Sequence, residues 1–218
     1  MAANSLPVER DLWCEVRPDA ARGEAALFLD RDGVLVEETE YLSRVQDIAF
    51  ISGASAVIAA ANRRGIPVVL VTNQAGIGRG YYGWTEFAAV QDAILRTLAA
   101  DGARIDAVYA CPHHPDGKEP FFHRDHPSRK PNPGMLLRAV ADLELDPARS
   151  WLVGDKVSDI EAAARAGLAG AMHVLTGHGA AERPDAAAFA SRFDVRFGRS
   201  IADAANLPLF DAAKTRAG

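Results

Sequence analysis

Cysteine is almost missing from this chain: Cys14 and Cys111 are the two in 218 residues. Two thiols in unrelated contexts make no disulfide framework, so a reducing, cytoplasmic setting is expected. Long apolar runs are missing too, and no stretch approaches the length needed to span a bilayer. Between Met1 and Arg10, Asn4, Pro7 and Glu9 interrupt the apolar stretch that a secretory leader requires. A surplus of positive charge is also lacking: 24 Lys and Arg face 29 Asp and Glu, a net charge of −5. Apart from a cluster around Arg124, Arg129 and Lys130 the basic residues are scattered, which gives neither nucleic acid nor an anionic membrane a reason to bind. No internal repeat occurs, and no G-x-G-x-x-G follows the first expected strand, which argues against a dinucleotide-binding module.

What is present suits one α/β domain with a sizeable core, since 49% of the residues are apolar. Residues 1–24 are polar and punctuated by Pro and Gly, and read as an extension packed on or tethered to the domain, with Trp13 as its anchor. From residue 25 to 218, strands are expected near 25–30, 66–71, 105–110, 150–153, 170–175 and 193–197. Helices are expected near 53–64, 85–100, 134–143, 157–166 and 200–205, while the alanine-rich run 180–190 is either helix or loop. Such alternation predicts a mostly parallel sheet covered by helices on both faces, a Rossmann-like three-layer sandwich. In such sheets the ligand site lies beyond the carboxyl ends of the strands.

Polar chemistry sits at each of those ends. The apolar run Ala25–Leu29 stops at Asp30-Arg31-Asp32-Gly33, and strand alternation lets Asp30 and Asp32 point the same way toward one divalent cation. One carboxylate can attack phosphorus while a second manages the leaving group's proton. Taken alone, the pair is better explained by an Asp-rich strand-to-loop turn. After the second strand, Thr72-Asn73-Gln74 and the glycines at 76, 78 and 80 offer a hydroxyl, two amides and backbone N–H groups to a phosphate. Arg129-Lys130 stands in a prolyl-stiffened loop, where a fixed lysine would offset phosphoryl charge and Arg129 would grip substrate. Asp155 and Asp159 follow the strand that ends at Val153; Asp155, nearer the strand, is the better metal candidate, and both also suit a helix N-terminus.

In this order the four segments resemble the haloacid dehalogenase superfamily of phosphatases across roughly residues 25–178. The resemblance implies that Asp30 is the nucleophile and Asp32 the acid/base. It also implies that Asp155, the Asp30 carboxylate and the Asp32 backbone carbonyl hold Mg²⁺, and that Thr72, Asn73 and Lys130 hold the transferring phosphoryl group. The tracts Thr72–Ile77 with Arg79-Gly80, Cys111–Pro115, Arg129–Leu136 and Glu37–Leu42 are similar to the subgroup of heptose-bisphosphate and histidinol phosphatases. That implies little or no cap domain, a small phosphorylated sugar as substrate, and Gln74 and Arg129 among the substrate contacts. A histidinol phosphate or other polyol phosphate is the alternative, and a phosphate-binding protein without turnover is the rival from another class. A monomer is expected.

The subgroup also carries a structural zinc on Cys-x-His and Cys-x-Cys. Here Cys111 and His113 are kept, but the second pair falls on His126 and Ser128. Serine is a poor zinc ligand. The loop insert 111–128 is therefore expected to bind Zn²⁺ through Cys111, His113 and His126, with a fourth ligand drawn from His114, His123 or Asp125. The competing reading is a loop held without metal by packing of Phe121 and Phe122.

Overall fold

The computed structural model of the chain describes residues 6–9 and 12–212. Most of the Met1–Arg10 segment read above for a leader lies outside them. Eight strands form one sheet: β1 (Val8–Glu9), β2 (Leu12–Val16), β3 (Leu27–Leu29), β4 (Val68–Asn73), β5 (Ala107–Cys111), β6 (Trp151–Gly154), β7 (Gly170–His173) and β8 (Val195–Phe197). Their spatial order is β1-β2-β5-β4-β3-β6-β7-β8. The six strands from β3 to β8 run parallel, β2 pairs antiparallel with β5, and β1 closes that edge antiparallel to β2.

Alternation along the central strands divides the core into two layers. Leu27, Leu29, Val68 and Leu70 face one side, against α1 (Ala54–Arg63) and α3 (Trp84–Ala100). Phe28, Val69 and Val71 face the other, against α4 (Gly134–Leu143) and α5 (Val157–Arg165). Strands buried on both faces read as continuous apolar runs, which is why LFL and VVLV are legible in the sequence. The remaining helices are α2 (Ala75–Arg79), α6 (Gly179–Phe189) and α7 (Pro208–Ala212), with a 3-10 stretch at Ile201–Asn206.

Two local expectations change. The segment read as an extension supplies β1 and β2 to the sheet: Trp13 pairs with Ala110 and Cys14 with Tyr109. β2 is short and set among polar, Pro- and Gly-punctuated sequence, and it becomes a strand by pairing with the open edge of β5. The glycine-rich run after β4, read as an oxyanion cradle, contains the short helix α2. Among the described residues no helix is long and apolar enough to cross a membrane. Cys14 and Cys111 are both buried free thiols.

Candidate active site

Asp30 stands one residue past β3 and is still held in the ladder, its N–H donating to Val153 O at 3.0 Å. Its Oδ1 accepts from Arg31 N at 2.7 Å and lies 3.1 Å from Lys130 Nζ. Asp155 follows β6, and its Oδ2 accepts from His178 N at 2.7 Å. Asp30, Asp155 and Asp159 bring one carboxylate oxygen each to within 4.8 Å of one another, the only such group of metal-type ligands among the described residues. All three are buried. Burial, outweighing the nearby Lys130 and aided by the charges of Asp159 and Asp32, pushes Asp30 up to about 6. Burial and the charges of Asp30 and Asp159 push Asp155 up to about 8.

Among the described residues Lys130 is the one ammonium in contact with this cluster, and a divalent cation fits the charge that is left. Asp155 Oδ1 is buried with no hydrogen-bond partner, and hard cations take carboxylate oxygens. Asp159 is already engaged: Oδ1 is 2.6 Å from Lys130 Nζ, and Oδ2 accepts from Lys156 N at the start of α5. Lys130 Nζ also donates to Val71 O at 2.8 Å, so a fully buried ammonium is held by two carboxylates and a carbonyl. Those neighbours, overcoming burial, hold it well above the usual lysine range.

Asp32 faces another network. Arg31, itself buried, grips it with two parallel bonds, Nε to Oδ1 at 3.0 Å and Nη2 to Oδ2 at 2.9 Å, and lies over the Phe87 ring. Gln74 Nε2 donates to Asp32 Oδ2 at 3.0 Å and to Thr72 Oγ1 at 2.8 Å, while Tyr82 Oη donates to Gln74 Oε1. Thus Gln74, expected to contact substrate, has its amide engaged with Asp32, Thr72, Arg31 and Tyr82. Arg31 and Tyr82 were missed by sequence reasoning. Arg31 carries a signal only in hindsight, as a cation placed between two acids, and Tyr82 carries none.

Thr72 and Asn73 end β4. Asn73 fixes the lysine loop by a reciprocal pair, donating to Lys130 O at 3.0 Å and accepting from Lys130 N at 3.1 Å. Arg129 donates to His113 O at 3.1 Å. A cavity of about 640 Å³ opens over these residues, lined by Asp30, Asp32, Thr72, Asn73, Gln74, Arg129 and Lys130, with Glu38, Tyr41 and Lys156 at its walls. Asp155 itself lies beneath the cavity, fully buried.

Cys111, His113 and His126 are neighbours. The His113 and His126 rings stack at 3.8 Å, and Cys111 Sγ lies 3.8 Å from His126 Nδ1. Their ligand atoms do not all come within 4.8 Å of one another as the acids do. His123 stands edge-on to His126 at 5.0 Å.

The HAD-hydrolase-like family matches residues 127–204. A D-glycero-beta-D-manno-heptose-1,7-bisphosphate 7-phosphatase from Mesorhizobium japonicum is 52% identical over 144 residues, 66% of this chain and 66% of its own length. The enzyme of the same description from Yersinia pestis is 39% identical over 75% of this chain and 87% of its own. Among solved structures, a HAD-like phosphatase from Mesorhizobium loti superposes with a TM-score of 0.79 at 40% identity, over 94% of this chain and 93% of that one. A D,D-heptose 1,7-bisphosphate phosphatase from B. bronchiseptica, complexed with magnesium and phosphate, gives 0.73 at 30% identity over 83% and 96%. With relatives of this identity matched over most of their length, the chain belongs to the haloacid dehalogenase-like phosphatases, alongside the D-glycero-D-manno-heptose-1,7-bisphosphate 7-phosphatases.

Proposed function

We propose that the protein is a magnesium-dependent phosphomonoester hydrolase that removes one phosphate from D-glycero-D-manno-heptose 1,7-bisphosphate through an aspartyl-phosphate on Asp30. The observation that carries this reading is the buried group Asp30, Asp155 and Asp159 beside Lys130, with a second acid, Asp32, facing the same cavity. Asp30 attacks phosphorus and the P–O bond to the sugar breaks, the departing alkoxide taking a proton from Asp32. Asp32 then accepts a proton from water as that water's oxygen attacks phosphorus, which releases phosphate and frees the Asp30 carboxylate. Lys130 lessens the repulsion between the entering phosphate and Asp30. Thr72 and Asn73 line the phosphoryl end, and Arg129 takes the non-reacting part of the substrate. Arg31 and Gln74 hold the Asp32 carboxylate in one orientation. Asp30, Asp155 and the Asp32 carbonyl would hold the magnesium, whose charge offsets that of the phosphate.

The insert 111–128 is read as a structural zinc loop on Cys111, His113 and His126. Supporting it, Cys111 Sγ lies 3.8 Å from His126 Nδ1, near the separation of two ligands at about 2.3 and 2.0 Å from one tetrahedral ion. A metal at Nδ1 would replace the bond that Ser128 N donates to it at 3.1 Å. Elemental analysis of protein purified without added metal, beside a Ser128→Cys variant that should bind more tightly, tests it. Absence of zinc from both, with the loop ordered, defeats the reading. A cytoplasmic monomer, whose phosphatase domain takes in β1 and β2 as well as residues 25–212, completes the proposal.

The function is tested by phosphate release from heptose 1,7-bisphosphate, hexose bisphosphates and histidinol phosphate, with Mg²⁺ or with chelator. Release fastest from the heptose and lost with chelator is expected. Preference for histidinol phosphate would reassign the substrate, and no turnover of any of them would favour the binding protein.

A further inference from the structure

The helix α2 has two working sides. On one, Ala75 and Gly76 line the cavity, and a β-carbon at Gly76 would stand 2.3 Å from the Tyr82 ring and 2.8 Å from the Tyr41 ring. The missing side chain is thus the seat of two tyrosines. On the other side, Gly78 O accepts from Lys118 N at 2.7 Å, and a β-carbon at Gly78 would stand 2.2 Å from Pro112 O. One short helix is therefore a wall shared by the cavity and the Cys–His loop.

Arg79, its last residue, reaches both. Nη1 donates to Tyr41 Oη at 2.6 Å, while Nη2 meets His114 Nε2 and Asp116 Oδ2, each at 3.2 Å. Tyr41 lies on a segment that needs outside support. Its neighbour Glu40 has φ 63°, a left-handed conformation that costs a non-glycine residue on the order of 1–3 kcal/mol and persists only where surroundings enforce it. On one side the segment is tied by Glu38, 3.7 Å from Lys156 Nζ and 3.4 Å from His178 Nε2. On the other it is tied by the Arg79–Tyr41 bond.

We infer that Arg79 is a positioning residue for substrate selection: it fixes Tyr41 as the sugar-facing wall of the cavity and takes its own position from His114 and Asp116, so that the Cys–His loop sets the fit of the substrate. This rests on the phosphatase reading above for its kinetic consequence, though not for its geometry.

The test uses Arg79→Ala, Arg79→Lys, Tyr41→Phe and the double variant Arg79→Ala/Tyr41→Phe. Losing one hydrogen bond should raise KM for heptose 1,7-bisphosphate about fivefold in Arg79→Ala and in Tyr41→Phe. The double variant should add nothing further, and Arg79→Lys should recover part of the loss. For p-nitrophenyl phosphate, which lacks the sugar, kcat of Arg79→Ala should stay within about twofold of the parent. Independently of activity, amide hydrogen exchange across residues 36–43 should quicken in Arg79→Ala. Additive effects, equal losses on both substrates, or unchanged exchange would overturn the inference. If the parent protein hydrolyses neither substrate, the phosphatase reading falls, and the exchange measurement alone decides the role of Arg79.

Discussion

Gly33 performs no chemistry, yet the site cannot be built without it. Its φ is +81°, and a β-carbon there would stand 2.4 Å from Asp155 Oδ2; one at Gly177 would stand 2.3 Å from the same oxygen. Gly33→Ala is therefore expected to displace Asp155 and weaken magnesium binding, read as a rightward shift of the Mg²⁺ titration of phosphate release. An unchanged titration would mean that Asp155 is not a ligand. Asp32→Asn is expected to slow hydrolysis of a sugar phosphate about 10²- to 10⁴-fold, the usual worth of acid–base catalysis, with a smaller loss on p-nitrophenyl phosphate, whose leaving group needs no proton. Equal losses on both would remove Asp32 from that role. Asp30, Asp32 and Asp155 could be placed at strand ends from the sequence because Asp30 and Asp155 directly follow buried strands and Asp32 comes two residues after Asp30. Arg31 beneath Asp32, and the capture of Asp159 by Lys130 from a distant loop, were not, because only tertiary packing decides which charges meet.

Strands β3 to β7 were legible as buried runs, and α1, α3, α4 and α5 as amphipathic stretches beside them, while β8, an edge strand with Arg196 and Phe197 exposed, had a weaker signal. β2 and α2 were not legible. β2 is a five-residue strand stabilised by an edge it does not itself encode, and α2 is one glycine-rich turn whose shape follows from its neighbours. The amino-terminal strands are nevertheless part of the core: Trp13 is 3% exposed and meets Phe87 at 5.0 Å and Trp84 at 5.8 Å. Trp13→Ala is expected to cost about 3–5 kcal/mol in urea unfolding, the range for emptying a large aromatic site. A loss below about 1 kcal/mol would return the segment to the status of a loose extension. The loop before α4 carries a comparable stake. Lys130→Met leaves Asp30 and Asp159 facing each other without their shared cation, and removal of one partner from a buried ion pair costs about 3–5 kcal/mol.

Across the whole molecule the acid cluster sets a pH dependence. Asp30 and Asp155 are raised in the folded chain, to about 6 and about 8, from 3.8. In that window the folded state holds more protons than the unfolded one, so metal-free stability falls as pH rises from about 4 through about 8. His114 and His173, lowered by burial, act in the opposite sense below their ordinary 6.5. Magnesium replaces the protons on the cluster, so the difference in Tm between magnesium-loaded and chelator-treated protein isolates the acids. That difference should be larger at pH 8 than at pH 5.5; a difference independent of pH would place the metal elsewhere. The covalent role of Asp30 is the centre of the account, and acid quenching during turnover of heptose 1,7-bisphosphate, followed by borohydride reduction and peptide mass analysis, tests it most directly. Reduction of an acyl phosphate converts aspartate to homoserine, and homoserine at position 30, lost when substrate is omitted, is the expected result. An unreduced Asp30 throughout turnover, or homoserine at position 32 or 155 instead, would contradict it.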